Sequence, residues 1–160
     1  MRFVNSIAGV TMFAFGATVA SAQAPVRPSY GTAVTLETAK KLAAGAMAEA
    51  KKQSWKVAVA IVDNHGMLIY YEMMDDTQTA SADVSIEKAR TAALWRRPSK
   101  EFEQTIADGR TALLGLRTVT PIEGGLPILV DGKMIGAIGV SGVTAAQDAQ
   151  IARAGLDALK

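Results

Sequence analysis

The apolar and polar positions of this chain follow two periods, and they divide it into helices and hairpins. From Thr35 to about Gln53 the apolar residues Leu36, Ala39, Ala43, Ala46, Met47 and Ala50 share one stripe of 3.6-residue period, so a helix capped by Thr35 is expected. Lys56 to Val62 then reads as a buried strand, Asp63-Asn64-His65-Gly66 as a turn, and Met67 to Met73 as the returning strand of a hairpin. A helical pattern resumes from Ala80 to Arg96 and is stopped by Pro98; Ser99 opens a short helix closed by Gly109. The stretch Thr111–Thr120 is ambiguous and is read as room for a short strand. Leu126–Val130, Asp131-Gly132 and Lys133–Ser141 form the strongest hairpin signal, a two-residue Asp-Gly turn between apolar runs. Thr144-Ala-Ala-Gln147 is a capping box that opens a last helix, to about Leu159. The order α-β-β-α-α-(β)-β-β-α has hairpins and no βαβ alternation, which predicts an α+β domain with helices packed on an antiparallel sheet.

Two segments fall outside this pattern. The N-terminus carries Arg2 as its one charge, an apolar run from Ile7 to Ala20, and then Ala20-Ser21-Ala22, the small-x-small pattern a signal peptidase cuts after. The run is shorter than the roughly 20 residues that span a bilayer. Residues 1–22 are therefore expected to be a secretory signal, placing the protein in the periplasm or outside the cell. No other stretch is apolar and long enough to cross a membrane. Residues 23–34, with Pro25, Pro28 and Gly31, read as a flexible lead-in to a domain over 35–160.

Composition narrows the chemistry. Lys and Arg number 17 against 15 Asp and Glu, a balance that makes no case for nucleic acid. With no cysteine there is no disulfide, thiolate metal site, thiol nucleophile or covalent c-type haem attachment. The single histidine excludes a His-rich zinc site. That residue, His65, is either an exposed turn residue or a ligand for a metal or haem iron. Met74 is either cleft lining or a thioether ligand, and the Asp75-Asp76 pair is too small for a calcium site. Lys88 and Thr91 are polar residues on the apolar stripe of their helix, with Val84 and Trp95. Lys88 either holds an anion such as a propionate or reaches out to water. Glu123-Gly124-Gly125 places a carboxylate beside two glycines, either as a plain connection or as an acid, base or ligand next to free backbone N–H groups. The glycines of Ile135-Gly-Ala-Ile-Gly-Val-Ser-Gly142 match no phosphate loop and mark a strand against which a helix, a ligand or another subunit packs closely.

Taken in order, Val62-Asp63-x-x-Gly66-x-Leu68, Met74-Asp75, Ser81…Ser85…Lys88-Ala89-x-Thr91-Ala92, Gly124-Gly125-x-Pro127-Ile128, Asp131-Gly132, Ile135–Gly142 and Gln147-Asp148 resemble the GlcG/HbpS family, from about Thr35 to the C-terminus. The resemblance implies a profilin-like α+β domain with a five-stranded antiparallel sheet flanked by helices, and homo-oligomers. Some members of that family are extracellular haem-binding proteins, and a similar domain ends the PduO cobalamin adenosyltransferases. By resemblance, Met74, Asp75, Lys88, Thr91, Glu123, Gly124 and Gly125 are candidates for a ligand-binding cleft. The chain departs from the pattern at Met73, where many members carry Arg. His65 falls on a variable position of the turn, so the family pattern does not mark it as a ligand. The function expected first is an exported small-ligand-binding protein that binds or handles haem non-covalently. The alternatives are an enzyme acting on a small organic acid or carbonyl compound, with Glu123 as acid/base and Lys88 holding the anion, and an oligomeric sensor or binding module without catalysis.

Overall fold

The computed structural model describes residues 26–160, and the expected export signal lies outside that range. Helix α1 (Leu36–Lys52) leads into the hairpin β1 (Ala58–Asp63) and β2 (Leu68–Met73). Helices α2 (Ser81–Trp95) and α3 (Lys100–Ala107) follow, then the hairpin β3 (Gly125–Val130) and β4 (Lys133–Ser141), and finally α4 (Ala145–Asp157). The sheet is antiparallel throughout, in the order β2-β1-β4-β3.

Four strands are found among the described residues, where five were expected. Thr111–Thr120 adds none: Thr111–Gly115 is a 3₁₀ turn, and the loop beyond it is held by side chains of α2. Ahead of α1 the chain runs beside the start of β4. The Met134 N–H donates to Ser29 O (2.8 Å), Gly31 N–H to Met134 O (2.9 Å) and Val34 N–H to Ile135 O (2.8 Å). Only Tyr30 of this segment makes a bridge of strand type, so it is not a fifth strand.

Alternation along β1 sets up three layers. Val59 and Ile61 face α1 and α4, with Leu42, Ala46, Ile138, Val140 and Ile151 in the same core. Ala60 and Val62 face α2, against Ala89, Ala92, Ala93 and Ala137. The α2 side is built from small residues. Ala60, Gly139 and Gly125 lie side by side on three adjacent strands, and α2 crosses that row. A Cβ at Gly139 would collide with the Ser85 carbonyl oxygen, and one at Gly125 with the Lys88 carbonyl oxygen. The partner that Gly139 of β4 admits is therefore a helix of the same chain, whereas Gly136 lets β4 lie close to the Val62 carbonyl of β1. On the other face α1 and α4 cross where Gly45 meets Ala158 and Gly155 meets the Leu42 carbonyl.

The helix ends follow the expected signals, with one informative exception. Thr144 and Gln147 close a full capping box at the start of α4. Replacing Thr144 by Ala removes an acceptor for the Gln147 N–H and is expected to cost about 1 kcal/mol, read as a lowered urea midpoint with unchanged slope. Ser99 stands at the start of α3 but does not cap it. Its hydroxyl is spent on the loop ahead of β3. Leu36, expected on the buried stripe of α1, is 51% exposed, because it lies in the first turn, before the helix meets its neighbours.

Candidate functional site

The polar residues of α2 that stood out on its apolar stripe turn inward. Lys88 is 1% exposed, so it does not reach water. Its Nζ donates to Asp148 Oδ2 at 2.7 Å and to the Val140 carbonyl at 3.1 Å. Asp148 sits in the first turn of α4, on the opposite side of the sheet, and its other oxygen accepts the Val143 N–H at 3.2 Å. The pair ties the two helical layers together past the end of β4. Burial pushes the Asp148 carboxyl above its ordinary value, opposed by the Lys88 ammonium and the backbone N–H groups of Val143 and Gly142. Gly124 closes the space over this pair: its φ is +128°, and a Cβ there would stand 2.9 Å from Lys88 Nζ. A side chain at that position would push into the ammonium.

Thr91, one turn further along α2, faces the loop that carries Glu123. Its Oγ1 accepts the Thr120 N–H at 2.8 Å and donates to the Thr118 carbonyl at 3.4 Å. Trp95 Nε1 donates to Thr118 Oγ1 at 3.2 Å. Ser99 Oγ donates to the Ile122 carbonyl (2.6 Å) and accepts the Gly125 N–H (2.9 Å). Thr91, Trp95 and Ser99 thus fix residues 118–125 from below. The glycine N–H expected to be free for a ligand is, at Gly125, already satisfied.

The Glu123 carboxylate points elsewhere. It pairs with Lys100 Nζ at 3.0 Å and lines a cavity of about 260 Å³ with Glu103, Gln104 and Ala107. Glu123 and Lys88 therefore do not line one cavity, and the acid/base-plus-anion-holder arrangement considered for an enzyme is not assembled. Met74 packs at the edge of the α1–α4 core and lines a different cavity, of about 240 Å³, with Lys51, Ser54, Trp55 and Lys56. Asp75 is exposed beyond it. Of the seven cleft candidates, the structure gathers Lys88, Gly124 and Gly125, sets Thr91 beneath the adjoining loop, and leaves Met74, Asp75 and the Glu123 carboxylate apart.

His65 is exposed at the hairpin tip, as its turn reading requires. The Asp63 carboxylate shapes this turn by accepting the N–H groups of His65 (2.8 Å) and Met67 (2.9 Å). The tip nevertheless borders a cavity of about 300 Å³, with Tyr30, Asn64 and Leu94 as its other walls. Sequence reasoning passed over those three residues. Their signal is weak, since Tyr30 and Leu94 meet the hairpin only in the folded chain. Asp148 was missed as a site residue for the same reason, although the Gln147-Asp148 dipeptide belonged to the family pattern. Among the described residues no cluster of three or more His, Cys, Asp or Glu is placed to hold a bare metal ion, and no helix is long and apolar enough to cross a membrane.

Comparison with known proteins places this arrangement. Residues 34–157 match the family described as haem degrading protein HbpS-like. Protein GlcG of Escherichia coli strain K12 is 46% identical over 105 residues, which cover 66% of this chain and 78% of that protein. Among solved structures, a double mutant of HbpS from Streptomyces reticuli superposes with a TM-score of 0.75 at 32% identity, over 88% of this chain and 99% of that one. The PduOC–haem complex superposes with a TM-score of 0.74 at 27% identity, over 79% of this chain and 95% of that one. The chain therefore belongs to the HbpS-like family, as a relative of GlcG.

Proposed function

We propose that the protein is an exported haem-binding protein that holds haem non-covalently. The observation that carries this reading is the haem complex of PduOC, a protein of the same fold and family whose sequence is 27% identical. The family description, which names haem, supports it further. Export rests on residues 1–22, with Arg2, the apolar run to Ala20 and the Ala20-Ser21-Ala22 cleavage pattern. Homo-oligomerisation belongs to the same reading and rests on the family resemblance.

This chain offers groups of the kinds such a ligand uses. Non-covalent haem needs an apolar surface, a donor for iron and cations for two propionates. The cavity at Tyr30, His65 and Leu94 supplies an apolar wall and a free imidazole. When bound, the iron supplies redox and oxygen chemistry; the protein's part is to hold, orient and shield it. With no cysteine, no thioether bond to haem can form, and acid–acetone extraction is expected to remove the haem.

Adding haemin to the purified apo-protein is expected to give a saturable, shifted Soret band. Absorbance that grows linearly with haemin, with no saturation and no shift from free haemin, overturns the reading.

A further inference from the structure

We propose that the loop 109–122 docks the protein on anionic lipid surfaces, with Leu114 and Leu116 entering the bilayer interface and Arg110 and Arg117 on lipid phosphates. This inference goes beyond the haem-binding reading above and does not depend on it. From Gly109 to Ile122 the chain carries two arginines, no acidic residue, and the large aliphatic side chains Leu113, Leu114, Leu116, Val119 and Ile122. Leu114 is 63% exposed, and Leu116 and Ile122 are exposed with it. Exposed aliphatic side chains concentrated in one loop mark a contact surface, whereas scattered single ones do not. The loop also stands clear of the domain: a Cβ at Gly109 or at Gly115 would meet nothing within 4 Å. Its leucines are therefore carried on a projection.

The loop has its shape before it meets any partner. The Arg110 N–H donates to the Thr105 carbonyl (3.1 Å), Thr111 N–H to Gly109 O (2.9 Å), Leu113 N–H to Arg110 O (3.4 Å), Leu116 N–H to Leu113 O (3.1 Å) and Val119 N–H to Leu116 O (3.3 Å). Backbone N–H groups satisfied within the segment are what a bilayer demands, since lipid tails offer them no acceptor. From beneath, Thr91 accepts the Thr120 N–H and Trp95 donates to the Thr118 hydroxyl. Little ordering is left to be done on docking.

Charge decides which partner fits. Arg110 and Arg117 bracket the leucines in sequence, both are exposed, and neither pairs with a carboxylate among the described residues. The acidic residues around the loop are engaged: Asp108 accepts Gln104 Nε2 at 2.9 Å, Glu123 pairs with Lys100, and Glu87, which shares a hollow with Arg117, pairs with Arg90. A second copy of the loop would set arginine against arginine, so the complementary surface is anionic. An anionic bilayer offers phosphates at its rim and apolar chains just below. Arginines reach the first through their flexible stems while leucines enter the second. Among the described residues no helix is long and apolar enough to cross a membrane, so the contact is peripheral.

The test is co-sedimentation with vesicles of phosphatidylcholine alone and of phosphatidylcholine mixed with phosphatidylglycerol. It compares the wild-type protein, the double variant Leu114→Ser with Leu116→Ser, and the double variant Arg110→Gln with Arg117→Gln. All three share residues 1–25, so any contribution of the apolar run at Ile7–Ala20 is common to them. The substituted residues are exposed, and far-UV circular dichroism checks that the variants fold. Wild-type binding is expected to rise with phosphatidylglycerol content and to fall as NaCl is raised from about 0.05 to about 0.5 M. The arginine variant is expected to bind anionic vesicles roughly tenfold more weakly or worse, and the leucine variant roughly fivefold more weakly. A wild type indifferent to phosphatidylglycerol, or a leucine variant that sediments as the wild type does, overturns the proposal. So does a leucine variant whose particle mass by light scattering falls in the absence of lipid, because that places the loop between copies of this chain.

Discussion

Replacing Lys88 by Met is expected to destabilise the protein by about 3–5 kcal/mol at neutral pH, because it leaves the Asp148 carboxylate buried without its cation. Lys88 is 1% exposed and its Nζ lies 2.7 Å from Asp148 Oδ2, so the ammonium has no substitute from solvent. Its second bond, to the Val140 carbonyl, is lost as well. The double substitution Lys88→Met with Asp148→Leu removes both charges and is expected to recover most of the loss. Urea unfolding of the two single variants and the double variant measures the coupling directly.

The same pair sets a pH signature. Burial raises the Asp148 carboxyl above its value in the unfolded chain, so the folded state binds that proton more readily. The stability this group contributes is fully present below its unfolded value and is lost as pH rises through its folded value. Without Lys88 the carboxyl rises further, and protonation removes the charge that Lys88→Met leaves stranded. The stability deficit of that variant is therefore expected to shrink between neutral pH and about pH 4.5. A deficit that stays constant over that range would show that lost packing, and not a stranded charge, is the cause.

Replacing Gly139 by Ala is the second large effect, expected at about 3 kcal/mol. The new Cβ would meet the Ser85 carbonyl oxygen, would stand 2.5 Å from the Ala89 nitrogen, and would stand 3.0 Å from the Ala89 Cβ. Most of these are backbone atoms of α2, which cannot swing aside as a side chain can. Relief requires the helix to lift, and lifting it draws Lys88 away from Asp148 and Thr91 away from the loop 118–120. Gly115→Ala is the control, since nothing lies within 4 Å of a Cβ there, and it is expected to stay within about 0.5 kcal/mol of the wild type. Thermal unfolding of the two variants side by side distinguishes a helix lifted off the sheet from a general cost of adding a methyl group.

These two positions also show what could be read in advance. The period of apolar residues was enough for α1, for both hairpins and for the capping box of α4, because each is decided by neighbours within about ten residues. The order of motifs was enough for the family. The fifth strand was not legible correctly. Thr111–Thr120 has strand-forming residues, but whether a stretch pairs depends on a free sheet edge beside it. Here Thr91 and Trp95 hold it as a loop instead. Lys88 was visible as a polar residue on an apolar stripe, yet its role hung on Asp148, 60 positions away in sequence. The Glu123 carboxylate stood next to the right glycines and still faces Lys100, because Gly124 turns the chain between them.

What the sequence determined by itself is local and additive: where helices and strands form, where the chain turns, that no thiol chemistry is available, and which family pattern the residues match. What only the tertiary structure decided is which side chains share a space. It turned Lys88 from a candidate anion holder into half of a buried pair, and gave Gly139 of β4 to α2. It also set His65, at an exposed tip, beside Tyr30, Asn64 and Leu94. The physical reason is that period and propensity act along the chain, whereas burial, charge pairing and cavity walls arise only when residues far apart in sequence are packed together.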